Sequence, residues 1–382
     1  MKKNNTTPSL SVRLGFARQQ DVVTDSRGAL RVPTRYDTGG GAGNTVETHW
    51  CQAVDLAADR AQAPGLAKAG FDQIDLADCE VLQSLLSGVN QAGELDEISA
   101  NRIRREVQGK TFRLLNGRRL KVLFVAPEGF IMRRSGPNGL DIAPGQSMTE
   151  RNGHKAADQV HGDQNVYGTP LKKMLKRTAP WLFRHQTLGR RNRVSPVFLL
   201  NLWIPLQQHT QPLTLADRRS INSAQQQVCY ALPTEGFLAR DEDQALNDLW
   251  LFLHNQNQQW YCDTSMNHER AYVFDTLGAP HGAATLPGED VAEIYFRRLR
   301  EIIDCVDRGE SLLTIGDRET LPDVPPAAPD NLRQLLLAAG ELIREVAEVS
   351  APIKSGWTDR ARAVAQLFIR QSLEMRLVAL AY

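Results

Sequence analysis

Residues 197–204 read Val-Phe-Leu-Leu-Asn-Leu-Trp-Ile and are bounded by Pro196 and Pro205. A continuous apolar run of this length, closed at both ends by proline, is the pattern of a buried central strand. Shorter candidates surround it. Lys121 to Ala126 (KVLFVA) is closed by Pro127 and Gly129, while Trp260-Tyr261-Cys262 and Arg270 to Phe274 (RAYVF) flank a polar turn, TSMNHE. Strands joined by loops, with no βαβ alternation, argue for a sandwich or barrel over a doubly wound sheet.

Helical patterns lie towards the two ends. VDLAADRAQ (54–62) and CEVLQSLLSG (79–88) read as short helices. Near the other end, Leu332, Leu335, Leu336, Ala339, Leu342, Ile343 and Val346 recur at i, i+3, i+4 and i+7, which is one helical face. A second helix is expected from about Thr358 to Leu380. The expected class is mainly β with helical decoration. Residues 1–50, polar and including DTGGGAGNT, read as a loosely packed arm, and 51–317 as the main β domain. RETLPDVPPAAPDN (318–331) reads as a proline-rich linker, and 332–382 as a helical segment that packs on the core or forms a homodimer interface.

Composition narrows the partners. The chain has 382 residues, 42% of them hydrophobic, enough for one large domain or two ordinary ones. Lys plus Arg number 45 and Asp plus Glu 44, so no charge excess calls for nucleic acid or an anionic membrane. Five scattered cysteines, none in a Cys-x-x-Cys pair, read as reduced thiols. The N-terminus lacks an apolar stretch behind its lysines, and no run is long enough to span a bilayer. A cytoplasmic protein is expected.

His161-Gly162-Asp163 carries the chemistry. Residues i and i+2 of a strand point the same way, so His-x-Asp delivers an imidazole and a carboxylate side by side. A second imidazole from a distant strand would complete a facial triad, and His281, in GAPHGAA, is the natural third ligand. The spacing alone is weak, because eight histidines and 44 acidic residues give about one His-x-Asp/Glu by chance. Its context is more specific. VHGDQ (160–164) is followed by N-x-W-x-P-L and P-L-x-x-x-D-x-x-S at Asn201, Trp203, Pro205, Leu206, Pro212, Leu213, Asp217 and Ser220. Then come Trp260-Tyr261, Met266, Glu269 and Phe274-Asp275-Thr276, with His281 just beyond.

In order and spacing these motifs, over roughly residues 120–300, resemble the CmcJ/NvfI-like (gibberellin-desaturase-like) non-haem iron(II)/2-oxoglutarate-dependent oxygenases. The resemblance implies a double-stranded β-helix (jelly-roll, cupin-like) core. It implies iron(II) on His161, Asp163 and His281, with 2-oxoglutarate decarboxylated to succinate as O₂ is split. It further implies hydroxylation or desaturation of a small molecule, as in specialised-metabolite biosynthesis, because Asp163 keeps the carboxylate that halogenating relatives lose. The co-acid needs a cation. Relatives place an arginine in an R-x-S-x-E-x-R strand shortly after the distal His. The text there, FRRLREII, reads as a helix, with Val291, Ile294, Tyr295, Leu299, Ile302 and Val306 on one face. Arg298 shares that face and Arg297, which alignment favours, points away; both are candidates, with Asn201 beside them. Trp203, Trp260 and Tyr261 are candidate substrate contacts. His254, His268 and the cluster Arg190, Arg191 and Arg193 read as packing or solvated surface. Two other readings stay open: a jelly-roll metalloenzyme that does not use 2-oxoglutarate, and a non-catalytic jelly-roll binding protein.

Overall fold

The apolar run at 197–204 lies in the middle of a sheet, paired on both sides. The structure is a computed structural model that describes residues 9–24, 30–32, 46–143, 148–164, 178–185, 191–233, 246–309, 321–347 and 356–382. The stretch DTGGGAGNT and Arg190 lie outside these residues. In chain order the strands begin with β1 (Ser9–Ala17), β2 (Val23–Thr24), β3 (Leu30–Arg31), β4 (Val46–Asp55), β5 (Phe71–Asp75) and β6 (Thr111–Arg113). Next are β7 (Arg119–Val125), β8 (Ile131–Ser135), β9 (His161–Gly162), β10 (Val197–Gln207), β11 (Leu213–Ala216) and β12 (Gln227–Pro233). The last are β13 (Leu246–Phe252), β14 (Trp260–Cys262), β15 (Arg270–Asp275), β16 (His281–Ala283) and β17 (Arg370–Ala381).

They form two sheets, in the orders β1-β4-β14-β11-β16-β9-β13-β12-β3-β2 and β5-β15-β10-β17-β7-β6, with β8 also on β17. The inner faces meet where Trp203, Tyr272 and Phe274 of the smaller sheet pack on Leu213 and Leu215 of the larger. Two opposed, curled sheets with helices outside them give a jelly-roll-like fold.

Helices cover the outer faces. We label the longer ones α1 (Glu80–Ala92), α2 (Glu97–Val107), α3 (Glu289–Asp307), α4 (Asp330–Ala347) and α5 (Trp357–Leu367). Asp96 caps α2 by accepting from the Ser99 N–H, satisfying a donor that the first turn would otherwise leave unpaired. Leu82, Leu86, Ile103 and Val107 of α1 and α2 bury against Leu200, Leu202, Val273 and Leu377. The stripes of α3, α4 and α5 join Val12, Leu14 and Phe16 in the other main cluster.

Four expectations change. Ser9–Ala17 is no loose arm, since SLSVRLGFA alternates and buries Val12, Leu14 and Phe16 as a strand on β4. Residues 54–62 are not a helix: β4 runs to Asp55, and a turn and a short 3-10 segment follow. The described part of the proline-rich stretch is packed, with Ala328 buried and Pro322 O accepting from the Tyr295 hydroxyl. The helix expected at 358–380 ends at Leu367, and Arg370–Ala381 becomes β17, between β10 and β7. The C-terminal segment is therefore part of the central sheet and not a helical appendage.

One buried ion pair ties this frame together. Arg218 Nη1 donates to Asp275 Oδ2 at 2.8 Å, and its guanidinium also donates to the carbonyls of Leu66, Ala67 and Lys68. Both side chains are almost wholly buried. Burial pushes the Asp275 carboxyl up, and Arg218 opposes the shift. Arg218→Ala would leave that carboxylate buried without its cation, so it is expected to destabilise the fold by about 3–5 kcal/mol. A urea-unfolding midpoint unchanged from wild type would contradict this.

Candidate metal and co-acid site

The triad forms because two short strands pair at one position. β9 lies antiparallel to β16 with His161 opposite His281. Asp163 stands in the bend just past β9, so the carboxylate comes from the turn and not from the strand itself. His161 Nε2 is 3.5 Å and His281 Nε2 3.6 Å from Asp163 Oδ1. One ligand atom from each residue lies within 4.8 Å of the others.

The backbone orients both rings. His161 Nδ1 is 2.8 Å from Gln159 O, and His281 Nδ1 is 2.9 Å from Ala279 O. A carbonyl can only accept, so each Nδ1 donates, and each Nε2 is left with its lone pair aimed at the cluster. Phe274 packs on the His281 ring with centroids 4.4 Å apart. Asn201 Nδ2 donates to Asp163 Oδ2 at 3.3 Å. Behind the bend, Gln164 N donates to Thr276 O and Thr276 Oγ1 to Leu199 O, so the Phe274-Asp275-Thr276 block anchors the ligand turn. Burial alone would push the Asp163 carboxyl up, but His281, His161 and Arg376 hold it well below the usual carboxylate range. For His281 burial pulls down and Asp163 more than offsets it, raising the imidazole. Two imidazoles and one carboxylate on one side of a common point suit ferrous iron, with other positions left for ligands.

The inner face of β17 carries the rest. Arg370, Ser372, Glu374 and Arg376 alternate along it and reproduce R-x-S-x-E-x-R residue for residue. Arg376 pairs across the sheet with Asn201, and Glu374 with Trp203, so this face looks into the space that holds the triad. Arg370 is 1% exposed, and neither its Nε nor its Nη1 has a partner; the Ser372 hydroxyl lacks one too. The Arg370 guanidinium lies over the Trp203 ring at 5.5 Å. Its carboxylate neighbours are engaged elsewhere. Glu374 accepts from Arg133 Nε at 2.7 Å, and Glu289 from the backbone N–H groups of Asn138, Gln211 and Leu286. Burial lowers the Arg370 guanidinium to about 10, which still leaves it a cation at neutral pH.

The depth of this cation is informative. Asn201, which touches Asp163, and Trp203, which lies under Arg370, are successive inward residues of β10, roughly 6.6 Å apart. The Arg370 guanidinium thus reaches the same inner face of the smaller sheet as Asn201, over the next inward side chain of β10.

Of the residues expected from sequence, the structure brings together His161, Asp163, His281, Asn201 and Trp203. It does not bring Arg297 or Arg298 to them: Arg297 pairs with Glu293 and Arg298 with Glu301, both on α3. Val291, Tyr295, Leu299 and Ile302 of that stripe are buried, but Ile294 is 48% exposed, and Arg298 lies with it at the edge of the buried face. Trp260 faces the other way and packs edge-on against Phe16, 5.9 Å between centroids. Tyr261 shares the inward row of His281 through Leu215 but packs on Phe71. His254 stacks on His49. Sequence reading missed Arg370, Ser372, Glu374 and Arg133. The first three were findable, because their pattern is intact but stands beyond α3, α4 and α5 rather than next to His281.

No protein-family model and no curated protein matches the chain. Among solved structures it is similar to "iron and alpha-ketoglutarate-dependent endoperoxidase NvfI with different conformation", over 97% of each chain, at 12% identity and a TM-score of 0.50. A second structure, "iron and alpha-ketoglutarate-dependent endoperoxidase NvfI", covers 97% of this chain and 98% of its own at 12% identity, with a TM-score of 0.45. At such identity the first likeness speaks for the fold alone, and it agrees with the jelly-roll-like architecture.

Proposed function

We propose that the protein is an iron(II)/2-oxoglutarate-dependent oxygenase that uses O₂ to hydroxylate or desaturate a small molecule. The observation that carries the reading is a His-Asp-His cluster together with a buried arginine whose Nε and Nη1 have no hydrogen-bond partner, on the same inner face as Asn201, which donates to Asp163. An uncompensated buried guanidinium is unfavourable by several kcal/mol, so its natural counterpart is a bound carboxylate. A metalloenzyme without 2-oxoglutarate, or a non-catalytic jelly roll, would leave Arg370 and Ser372 without a purpose.

In this reading His161, Asp163 and His281 hold iron(II), and Asn201 fixes the free oxygen of Asp163. Arg370 and Ser372 bind the far carboxylate of 2-oxoglutarate, and Trp203 walls its chain. Bound iron would supply the site at which O₂ reduction is coupled to decarboxylation of the co-acid to succinate. The smaller sheet's order β15-β10-β17-β7, set against β14-β11-β16-β9, supports the finer assignment of a double-stranded β-helix. No described helix is long and apolar enough to cross a membrane. A cytoplasmic role in specialised-metabolite biosynthesis completes the proposal.

The test is an anaerobic titration. Iron(II)-loaded protein should develop a visible metal-to-ligand charge-transfer band as 2-oxoglutarate is added, saturating near one equivalent of bound co-acid. Iron binding with no such band would favour the metalloenzyme that does not use 2-oxoglutarate.

A further inference from the structure

Arg376, partly buried beside Asp163, has no ion-pair counterpart among the described residues. Arg218 is neutralised by Asp275, Arg133 by Glu374, and Arg370 by the co-acid under the reading above. Among the described residues nothing hydrogen-bonds or ion-pairs with the Arg376 side chain. Asp163, although close enough for Arg376 to lower its carboxyl, accepts from Asn201 and faces the two imidazoles instead. Glu128, in the neighbouring turn, is exposed and does not pair with it.

Its position differs from that of Arg370. Arg376 sits opposite Asn201 in the sheet, level with the metal ligands and only partly buried. The guanidinium lies along the β7–β8 turn at Gly129, where a Cβ would stand 3.4 Å from Arg376 Cδ, 3.5 Å from Nε and 3.7 Å from Cζ. Gly129 has φ +73°, so both its backbone and the guanidinium beside it favour the absence of a side chain there.

Charge accounting then points to a ligand. With iron(II) and dianionic 2-oxoglutarate bound, Asp163 and Arg370 bring the total to zero, and Arg133 and Glu374 cancel. Arg376 is left over as a single positive charge at the metal's level. We infer that the primary substrate carries a carboxylate, which Arg376 grips beside the metal and so sets which C–H bond faces it. A monoanion matches one spare charge better than a dianionic phosphate does. The inference rests on the oxygenase reading and names the substrate class for it.

The test uses the full chain, loaded anaerobically with iron(II) and saturating 2-oxoglutarate, with benzoate and its neutral analogue benzamide as probes. Benzoate should perturb the charge-transfer band saturably, and benzamide should act at least about tenfold more weakly. Arg376→Gln should lose about ten- to a hundredfold in benzoate affinity with its 2-oxoglutarate titration unchanged, which also reports an intact fold. Arg376→Lys should recover part of the loss, because a point charge replaces a fork. Equal response to the two probes, no saturable benzoate effect, or benzoate affinity retained in Arg376→Gln would overturn the inference. So would loss of 2-oxoglutarate binding in that variant, since Arg376 would then be the co-acid anchor. Absence of the band in wild type sinks the oxygenase reading itself, and is a separate result.

Discussion

Asp163→Ala is expected to weaken iron(II) binding by at least ~100-fold while the chain stays folded, and His161→Ala and His281→Ala to do the same. Changes one shell out from a metal typically cost 10–100-fold, and each of these removes a ligand outright. The fold should tolerate the losses. Asp163 lies in a bend, and β9 and β16 pair through backbone groups that the substitutions leave in place. His254→Ala and His268→Ala are the controls. His254 is occupied in stacking on His49, and neither joins the cluster. Iron measured anaerobically by chelator competition should fall in the three ligand variants and hold in the two controls. Full occupancy in a variant lacking all three ligands would remove the site from the account.

The second large effect joins function to stability. Arg370→Leu should lower 2-oxoglutarate affinity by ten- to a hundredfold, equivalent to about 1.5–3 kcal/mol for a charge-assisted bidentate contact. The same substitution should leave the unliganded protein as stable or more so, because a buried guanidinium with unsatisfied N–H groups gives way to an apolar side chain on Trp203. A merely structural arginine would show the opposite pairing, with lost stability and unchanged affinity. Arg297→Ala and Arg298→Ala, whose guanidinium groups are spent on Glu293 and Glu301, should leave 2-oxoglutarate binding as in wild type.

What could be read from sequence follows from which signals are local. Val197–Ile204 announced a central strand because a sheet buried on both faces requires an unbroken apolar run. The stripe from Leu332 to Val346 announced α4 because one face of that helix alone meets the core. That His161, Asp163 and His281 come together was legible because the His-x-Asp spacing and the later histidine sit in a recognisable order of motifs. β17 was not, since Leu, Glu, Met, Arg and Ala favour helix and only the period-2 burial of RQSLEMRLVALA argues otherwise. Pairing with β10, β7 and β8 overrides that propensity. The R-x-S-x-E-x-R pattern that begins at Arg370 was overlooked for the same reason. It was sought beside His281, whereas α3, α4 and α5 lie between β16 and the strand that carries it. β1 was missed because its alternation sits within a polar surround.

The central claim is tested most directly by succinate formation. Purified protein with iron(II), O₂ and 2-oxoglutarate should release succinate even without its primary substrate, slowly, in step with O₂ consumed and blocked by chelation. Asp163→Ala and Arg370→Leu should each reduce that rate to background. Succinate at background in the wild type, with iron bound to His161, Asp163 and His281 and 2-oxoglutarate in excess, would contradict the account.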